Sequence, residues 1–592
     1  METIISTALQ ESIKELYNED ISIDKSYIQR TRKDIEGDFT VVIFPFLKIA
    51  KKSPDAAATE IGESLSSKLA CHYQVIKGFI NLSFADIQWL QFLNKNWKND
   101  QFGYWPQKNR APILIEYSSP NTNKPLHLGH IRNNLLGSSI SRILKACGEQ
   151  TICVNLVNDR GIHICKSMLA WQKFGNGETP ETSNLKGDHL VGKYYVIFDQ
   201  EYKKQIKILV EQGISEKEAG KKAPILLEAQ EMLRRWEEGD RDIISLWKKM
   251  NEWVYQGFEI TYQELGIHFD KTYYESETYL LGKQLVEEGL HQGAFYRKED
   301  GSVWVNLNDE GMDEKLLLRQ DGTSVYMTQD LGTASLRFDE FHPEKMIYVV
   351  GNEQNYHFDV LKIILSKKLK KSFGNHIHHL SYGMVELPSG KMKSREGTVV
   401  DADNLMEEMI VAARRNTQEL GKTDFSNEEA ECLYRMIGLG SLKYFILKVD
   451  PKKNMLFNPE ESIDLNGNTA PFIQYTYARI RSLLRKADKE GLSIPLAAPT
   501  ELTIPKMEKE LIKLLYDFPQ IIENAGTTYS PAVIANYMFD LAKAFNRFYQ
   551  ETPIFKETSL ELKIFRLQIS NFISIVLRNG MALLGIDLPE KM

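Results

Sequence analysis

Two periodicities alternate along the chain. Apolar residues recur at three- and four-residue spacing in LQESIKELY (9–17) and PDAAATEIGESLSSKL (54–69), which reads as amphipathic helix. Between and after them, FTVVIFPF (39–46) and QVIKGFINLSF (74–84) are crowded with β-branched and aromatic residues and read as strands. The polar, Gly/Pro-broken stretch 101–110 is a linker. PILIEY (112–117) then changes the character of the chain, being short and continuously apolar like a strand buried on both faces. A polar loop, SSPNTNKP, follows it. Next comes a helix over 127–148, with Leu128, Ile131, Leu135, Leu136, Ile140, Ile143 and Leu144 on one face and Gly148 as its stop. TICVNLV (151–157) returns as a second buried strand. Strand, loop, helix and strand in this order predict a βαβ unit within a parallel sheet.

Residues from about 166 to 265 are charged and helical, an insertion into the sheet domain. KEDGS (298–302) and RQDGT (319–323) set Asp-Gly turns for hairpins around 295–327, and MIYVV (346–350) is another buried strand. From 402 onward helical periodicity dominates. The expected fold class is α/β. A Rossmann-like parallel-sheet domain over 109–401 carries the insertion, after an N-terminal α+β domain over 1–108. A helical link over 402–466 leads to an all-α domain over 467–592.

Composition narrows the class. Of the 592 residues, 42% are hydrophobic, and eight Trp, 26 Tyr and 27 Phe exclude a wholly disordered chain. Five cysteines without a C-x-x-C pair speak against a disulfide scaffold or zinc ribbon and suit a reducing compartment. No secretory signal pattern opens the chain, and no run approaches the ~20 apolar residues of a membrane span, so a cytoplasmic location is expected. The net charge of −7 does not advertise nucleic-acid binding, although it averages over patches.

The chemistry gathers at the first strand–helix turn. His127 and His130 lie three residues apart at a helix N-terminus, where orphan N–H groups and the helix dipole attract phosphate. Gly129 between them lets a flat base approach the backbone, and Lys124 adds a cation. Taken alone, His-x-x-His is as often a surface pair or half of a metal site, but zinc needs further ligands that no Cys cluster supplies. GKMKSREGT (390–398) brings Lys391, Lys393 and Arg395 together between glycines; alone it would be a solvated turn.

Together the two elements resemble the paired HIGH and KMSKS signatures of class I aminoacyl-tRNA synthetases. IEYSSPNTNKPLHLGHIRNNLLG, MTQDLGTA preceded by Tyr326, GNEQNYHF, KMKSREGTVV, NTAPFIQYTYARIRSLLRKA and the closing LPEKM resemble arginyl-tRNA synthetase blocks in order. The resemblance spans essentially the whole chain. It departs from KMSKS where Ser394 replaces the second lysine, and it implies that Lys124 shares the neutralisation of pyrophosphate. For ATP it implies His127, Gly129, His130, Gly351, His357 and Met392, with Mg²⁺ and no zinc or other protein-bound metal.

A guanidinium is planar, permanently charged and forked, so its pocket needs a carboxylate, a neutral acceptor and an aromatic wall. Tyr326 and Asp330, at i and i+4, share a helix face, and Gln354 follows a strand end. The resemblance assigns these three to arginine's side chain. It assigns Glu116, Ser118, Ser119 and Asn121 to its ammonium and carboxylate. Asn158, Asp159 and His163 are left between a pocket role and a structural turn. For tRNA it implies an anticodon-binding bundle with Tyr475, Tyr477, Arg479, Arg481, Arg485 and Met592, whose interleaved aromatics and arginines suit bases and phosphates. It also implies an N-terminal contact to the tRNA corner through Asn81 and Phe84. The expected enzyme activates arginine with ATP and passes it to tRNA(Arg), binds neither DNA nor membrane, and works as a monomer.

Overall fold

A computed structural model describes residues 1–32, 34–386, 400–419, 425–492, 494 and 502–592. Lys391, Met392, Lys393 and Arg395 lie outside the described residues. The chain divides into two units. One comprises Met1–Asn99, Leu484–Tyr516 and Phe545–Ile573, and the other Asp100–Leu483, Asp517–Ala544 and Ser574–Met592. Residues of the helices Ala470–Lys489, Lys506–Thr528, Pro531–Glu551 and Leu560–Leu583 are divided between the two units.

In the first unit, β1 (Ile28–Arg30), β2 (Phe39–Val42), β3 (Cys71–Ile76) and β4 (Phe79–Phe84) form an antiparallel sheet in the order β1-β2-β4-β3. Helices Glu2–Tyr17 and Pro54–Leu69 pack together, the second also against β3 and β4. Each expected strand segment is modified. FTVVIFPF stops pairing after Val42, because Pro45 lacks an amide donor and Phe44–Phe46 coil into a 3₁₀ turn. QVIKGFINLSF is a hairpin rather than one strand: Lys77 (φ 50°) and Gly78 (φ 76°) both turn left-handed, the geometry of a two-residue hairpin loop.

The second unit is built on a five-stranded sheet of β5 (Ile113–Glu116), β6 (Thr151–Val157), β7 (Lys271–Tyr274), β11 (Lys345–Gly351) and β12 (Ile377–Tyr382). Its order is β12-β11-β5-β6-β7, and every pair is parallel. β5 is buried along its whole length, as its continuous apolar run requires. The chain winds from β5 to β7 in one direction and returns through β11 and β12 on the other side. The order therefore reverses between β5 and β11, the kind of crevice where such sheets bind ligands. Between β6 and β7 run the helices Ile162–Phe174, Gly187–Glu211, Pro224–Glu237 and Arg241–Leu265, the expected insertion.

β8 (Phe295–Arg297), β9 (Val303–Val305) and β10 (Lys315–Leu318) form a small antiparallel sheet, with Asp300-Gly301 turning the first hairpin. The second Asp-Gly pair closes a shorter turn of the same kind: Gly322 N–H donates to Arg319 O (2.9 Å) and Arg319 N–H to Thr323 O (2.9 Å). Asp321 Oδ1 accepts from Thr323 N–H (2.9 Å) and Thr323 Oγ1 (2.7 Å). The chain then makes a single bridge, Leu318 to Ser324, before entering the helix Tyr326–Phe341. Short strands β13 (Val385–Glu386) and β14 (Met455–Leu456) pair in parallel.

Candidate active site

The HLGH turn closes on itself. His127 is the N-cap of the helix Leu128–Ala146; its Nδ1 accepts the N–H of Gly129 (3.1 Å), while His130 Nδ1 accepts the N–H of His127 (3.1 Å). This is a capping box written with imidazoles where Ser and Glu are usual. Leu128 N–H is also engaged, by Val400 O (3.0 Å). The backbone N–H groups of 127–129 expected to meet phosphate are therefore already satisfied within the protein. With Nδ1 accepting, each ring carries its proton on Nε2 and is a donor. The rings lie 3.9 Å apart. Burial, with Lys124 adding to it, lowers His127 to about 3; burial, His127 and Lys124 hold His130 well below its ordinary value. Both are neutral at physiological pH. Burial also lowers the Lys124 ammonium.

Just upstream of the turn, the loop after β5 is held in an uncommon form. Ser118 (φ 80°) and Ser119 (φ 48°) are consecutive left-handed residues. Their N–H groups are taken by Asn133 Oδ1 (2.6 Å) and Asn155 Oδ1 (3.0 Å), which keep them there. Ser118 Oγ meets the Tyr262 hydroxyl (2.7 Å), and Ser119 Oγ donates to Glu116 Oε1 (3.2 Å). Glu116 is buried against the Arg337 guanidinium. Asn121 is exposed and bridges to Asn158, whose Nδ2 donates to Ser119 O (3.2 Å). Tyr326 opens its helix 76% exposed, and Asp330 follows one turn later on the same face. His357 Nε2 lies 2.5 Å from Asp330 Oδ2, so His357, expected beside the nucleotide, is engaged by the carboxylate expected to read arginine. Gly351 ends β11, and Gln354 is exposed in the short turn after it.

The family model described as tRNA synthetases class I (R), catalytic domain matches residues 95–458. The DALR anticodon binding domain matches 473–592 and the arginyl tRNA synthetase N terminal domain 3–84. A protein of Parabacteroides distasonis named arginine–tRNA ligase is 56% identical over the full length of both chains, and one of Amoebophilus asiaticus with the same name 51%. The chain belongs to the arginyl-tRNA synthetase family. In fold it is similar to the Thermus thermophilus arginyl-tRNA synthetase (24% identity, TM-score 0.81, all of both chains) and to the Plasmodium falciparum one (20% identity, TM-score 0.76, 100% of this chain and 99% of that one).

In this synthetase the residues expected to meet tRNA divide by burial. Asn81 is 1% exposed and accepts from Thr40 Oγ1 (2.6 Å); Phe84 is 6% exposed and packs edge-on against Phe39. Neither side chain is presented at the surface. Alternation along β4 sets the two on opposite faces, and both faces are covered there: Asn81 meets Thr40, while Phe84 packs on Phe39. Tyr477 is likewise buried, its hydroxyl donating to Glu590 Oε1 (3.1 Å). Tyr475 is 38% exposed, with the Arg479 guanidinium 4.7 Å from its ring centroid, and Arg481 pairs with Glu590 (2.8 Å). The Asp159 side chain is held within the fold, accepting from Ser276 N–H (2.8 Å), Ser276 Oγ (2.7 Å) and Tyr255 OH (2.9 Å). His163 Nδ1 meets the Tyr195 hydroxyl (3.0 Å).

Other polar residues of the site escaped sequence reasoning. Glu275, after β7, is pushed up to about 7 by burial, opposed by Arg160; it bonds to the Gln329 side chain and feels the charge of Asp330. Arg337, 1% exposed, neutralises Glu116 and lies near the rings of Tyr273 and Tyr348. Arg132, 1% exposed, donates to Pro451 O (3.1 Å) and Lys453 O (2.7 Å). Charged residues inside helical patterns read as surface, so no periodicity signals them. Among the described residues one His/Asp group is tight enough to hold a metal ion: Asp188, His189 and Asp403. The Lys186 ammonium already sits on Asp403 and 3.3 Å from Asp188, so a second cation has no place there.

Proposed function

We infer that the chain activates arginine with ATP and transfers it to the 3′-terminal ribose of tRNA(Arg). The observation that carries this reading is the HLGH turn, with two neutral imidazoles anchored through Nδ1 and Nε2–H left to donate, at the C-terminal edge of β5 where strand order reverses. The full-length relatives named arginine–tRNA ligase support the choice of amino acid.

The arginine carboxylate attacks the α-phosphorus, forming the mixed anhydride and releasing pyrophosphate. A ribose hydroxyl, the 2′ in class I, then attacks the carbonyl and releases AMP. Neither step requires a side-chain nucleophile. Catalysis is orientation plus stabilisation of phosphate charge. His127 and His130 donate to the phosphates without changing their own charge, and Lys124 with Lys391, Lys393 and Arg395 neutralises pyrophosphate. Mg²⁺ enters with ATP as part of the substrate. Gly129, Gly351, His357 and Met392 border the nucleotide.

For the guanidinium, Asp330 supplies the counter-charge with Gln354 and Tyr326 on its edge and face, and Glu275 stands behind Asp330 as a second carboxylate. Ser119 and Asn121 lie at the rim for arginine's ammonium and carboxylate, while Glu116 and Ser118, bound to Arg337 and Tyr262, shape that rim from below. Residues 1–108 serve the tRNA corner. Residues 467–592 serve the anticodon, joined to the 109–401 catalytic domain by 402–466. The enzyme is a cytoplasmic monomer; among the described residues no helix is long and apolar enough to cross a membrane.

The test is ATP–pyrophosphate exchange with each amino acid, with and without tRNA. Exchange confined to arginine and dependent on tRNA is expected, and exchange with another amino acid instead would overturn the assignment.

A further inference from the structure

Side chains that no step above uses meet where the helical insertion faces the HLGH turn. Lys186 is the N-cap of the helix Gly187–Glu211, whose first turn carries Asp188 and His189. Asp403 stands in the first turn of the helix Ala402–Glu419. Asp403 Oδ2 takes the Lys186 ammonium and His189 Nε2 (2.9 Å), and its Oδ1 accepts from Thr261 Oγ1 (2.8 Å) on the helix Arg241–Leu265. Lys186 Nζ also donates to Thr261 Oγ1 (2.6 Å) and lies 3.3 Å from fully buried Asp188. Asp401 Oδ2 is 3.3 Å from His189 Nε2, while its Oδ1 caps the 402–419 helix through the N–H groups of Asp403 and Asn404 (both 3.0 Å).

What this cluster holds is the backbone of the motif. Leu128 N–H donates to Val400 O (3.0 Å), Ala402 N–H donates to Leu126 O (2.9 Å), and His127 bridges Asp401 in antiparallel fashion. The two sides are thus bound directly: insertion to 401–403 by charge, and 400–402 to the HLGH turn by main chain.

We propose that Lys186, His189 and Asp403 are positioning residues for adenylate formation, a clamp through which the insertion fixes the HLGH turn. The proposal rests on the reading of His127 and His130 as phosphate donors. A donor serves only where it lies about 2.7–3.1 Å from the oxygen it stabilises, and a 1 Å misplacement costs ~10²-fold in rate. The clamp suits that demand. Asp188 is fully buried while Lys186, His189 and Asp403 are only partly covered, and their shared bonds hold them in one arrangement.

The clamp is also sensitive to pH. His189 is raised above its ordinary value, first by its bond to Asp403, against the opposing effect of burial, with Asp401 and Asp188 adding to the rise and Lys186 opposing it. Lys124, His127 and Lys193 line the same cavity of about 210 Å³ beside it. Because the folded value lies above the ordinary one, the ion pair is complete at low pH and is lost as pH rises through the raised value.

Single-turnover arginyl-adenylate formation in the presence of tRNA tests this on Lys186→Met, Asp403→Asn and His189→Gln, with His130→Ala alongside. Lys186→Met and Asp403→Asn should each slow activation on the order of 10-fold or more, with KM for ATP and arginine within about twofold of wild type. Lys186→Arg should recover most of the rate, and His189→Gln should flatten the alkaline fall of the pH profile. Rates within about twofold of wild type in Lys186→Met and His189→Gln, even with a lowered Tm, would leave the cluster a purely structural one and overturn the proposal. Should Asp403→Asn fail to fold, His189→Gln decides, because that ring is partly exposed at the cavity. Slow His130→Ala beside fast clamp variants would remove only the clamp. Unimpaired His130→Ala would remove the phosphate-donor reading itself.

Discussion

His130→Ala removes two functions that the structure allows to be separated. Nδ1 closes the capping box on His127 N–H, a bond whose loss costs about 0.5–2 kcal/mol of stability. Nε2–H is the proposed donor to phosphate, and losing one such donor costs ~10²–10³ in rate, about 2.7–4 kcal/mol of transition-state stabilisation. The alanine variant should therefore melt slightly lower and form adenylate at least ~100-fold more slowly, with KM for ATP changed far less, because the donor acts on charge that develops in the transition state. Gln is a usual residue at this position of a capping box. His130→Gln should accordingly regain the melting temperature, since its amide oxygen can accept from His127 N–H, while the rate stays low because its amide nitrogen is not aimed where Nε2 was. Thermal melting and single-turnover activation on the three proteins separate the terms. Activation within twofold of wild type for His130→Ala, or recovery of both quantities by His130→Gln, would refute the reasoning.

Acid should find the same site: His127 has a folded value of about 3 against 6.5, so its stabilising contribution is present above 6.5 and falls as pH drops, by about 2 kcal/mol at pH 5, which His127→Asn should abolish in denaturant melts at pH 7 and pH 5. Lys124→Ala should slow activation at least as much as Lys393→Ala in the same exchange assay, because Ser394 stands where KMSKS has its second lysine. Asp330→Asn should lower kcat/KM for arginine roughly 30- to 5,000-fold, the ~2–5 kcal/mol of a broken charged pair, with ATP and tRNA binding nearly intact; Tyr326→Ala should also erode the preference over lysine. Arg337→Met should lower stability by ~3–5 kcal/mol in urea melts, since it leaves the Glu116 carboxylate buried without its partner.

The parallel sheet was legible because its strands are buried on both faces. PILIEY and TICVNLV are continuous apolar runs that few other structures would use, and TICVNLV coincides with β6 residue for residue. The motif turn was legible as a place but not as a mechanism. Nothing in the letters HLGH says that each imidazole spends its Nδ1 on the backbone and so becomes a neutral donor. That outcome depends on the side-chain rotamers of the first helical turn. Asn81 and Phe84 show the limit in a strand: they lie on opposite faces of β4, and that both faces are covered is decided by what packs around the sheet, not by residue type. Glu275, Arg337, Lys186 and Asp403 were hidden because a lone charge in a helical or turn segment is normally solvated. Only the fold brings it to a partner more than 50 residues away, as with Arg337 on Glu116 and Asp403 on Lys186.

Charging of tRNA tests the central claim most directly. Purified protein incubated with ATP, Mg²⁺, unfractionated tRNA and each amino acid in turn should esterify arginine alone, on tRNA(Arg), with one AMP released per arginine transferred and none without ATP. Charging of a different amino acid, or arginine bound and ATP turned over with no aminoacyl-tRNA formed, would contradict the account.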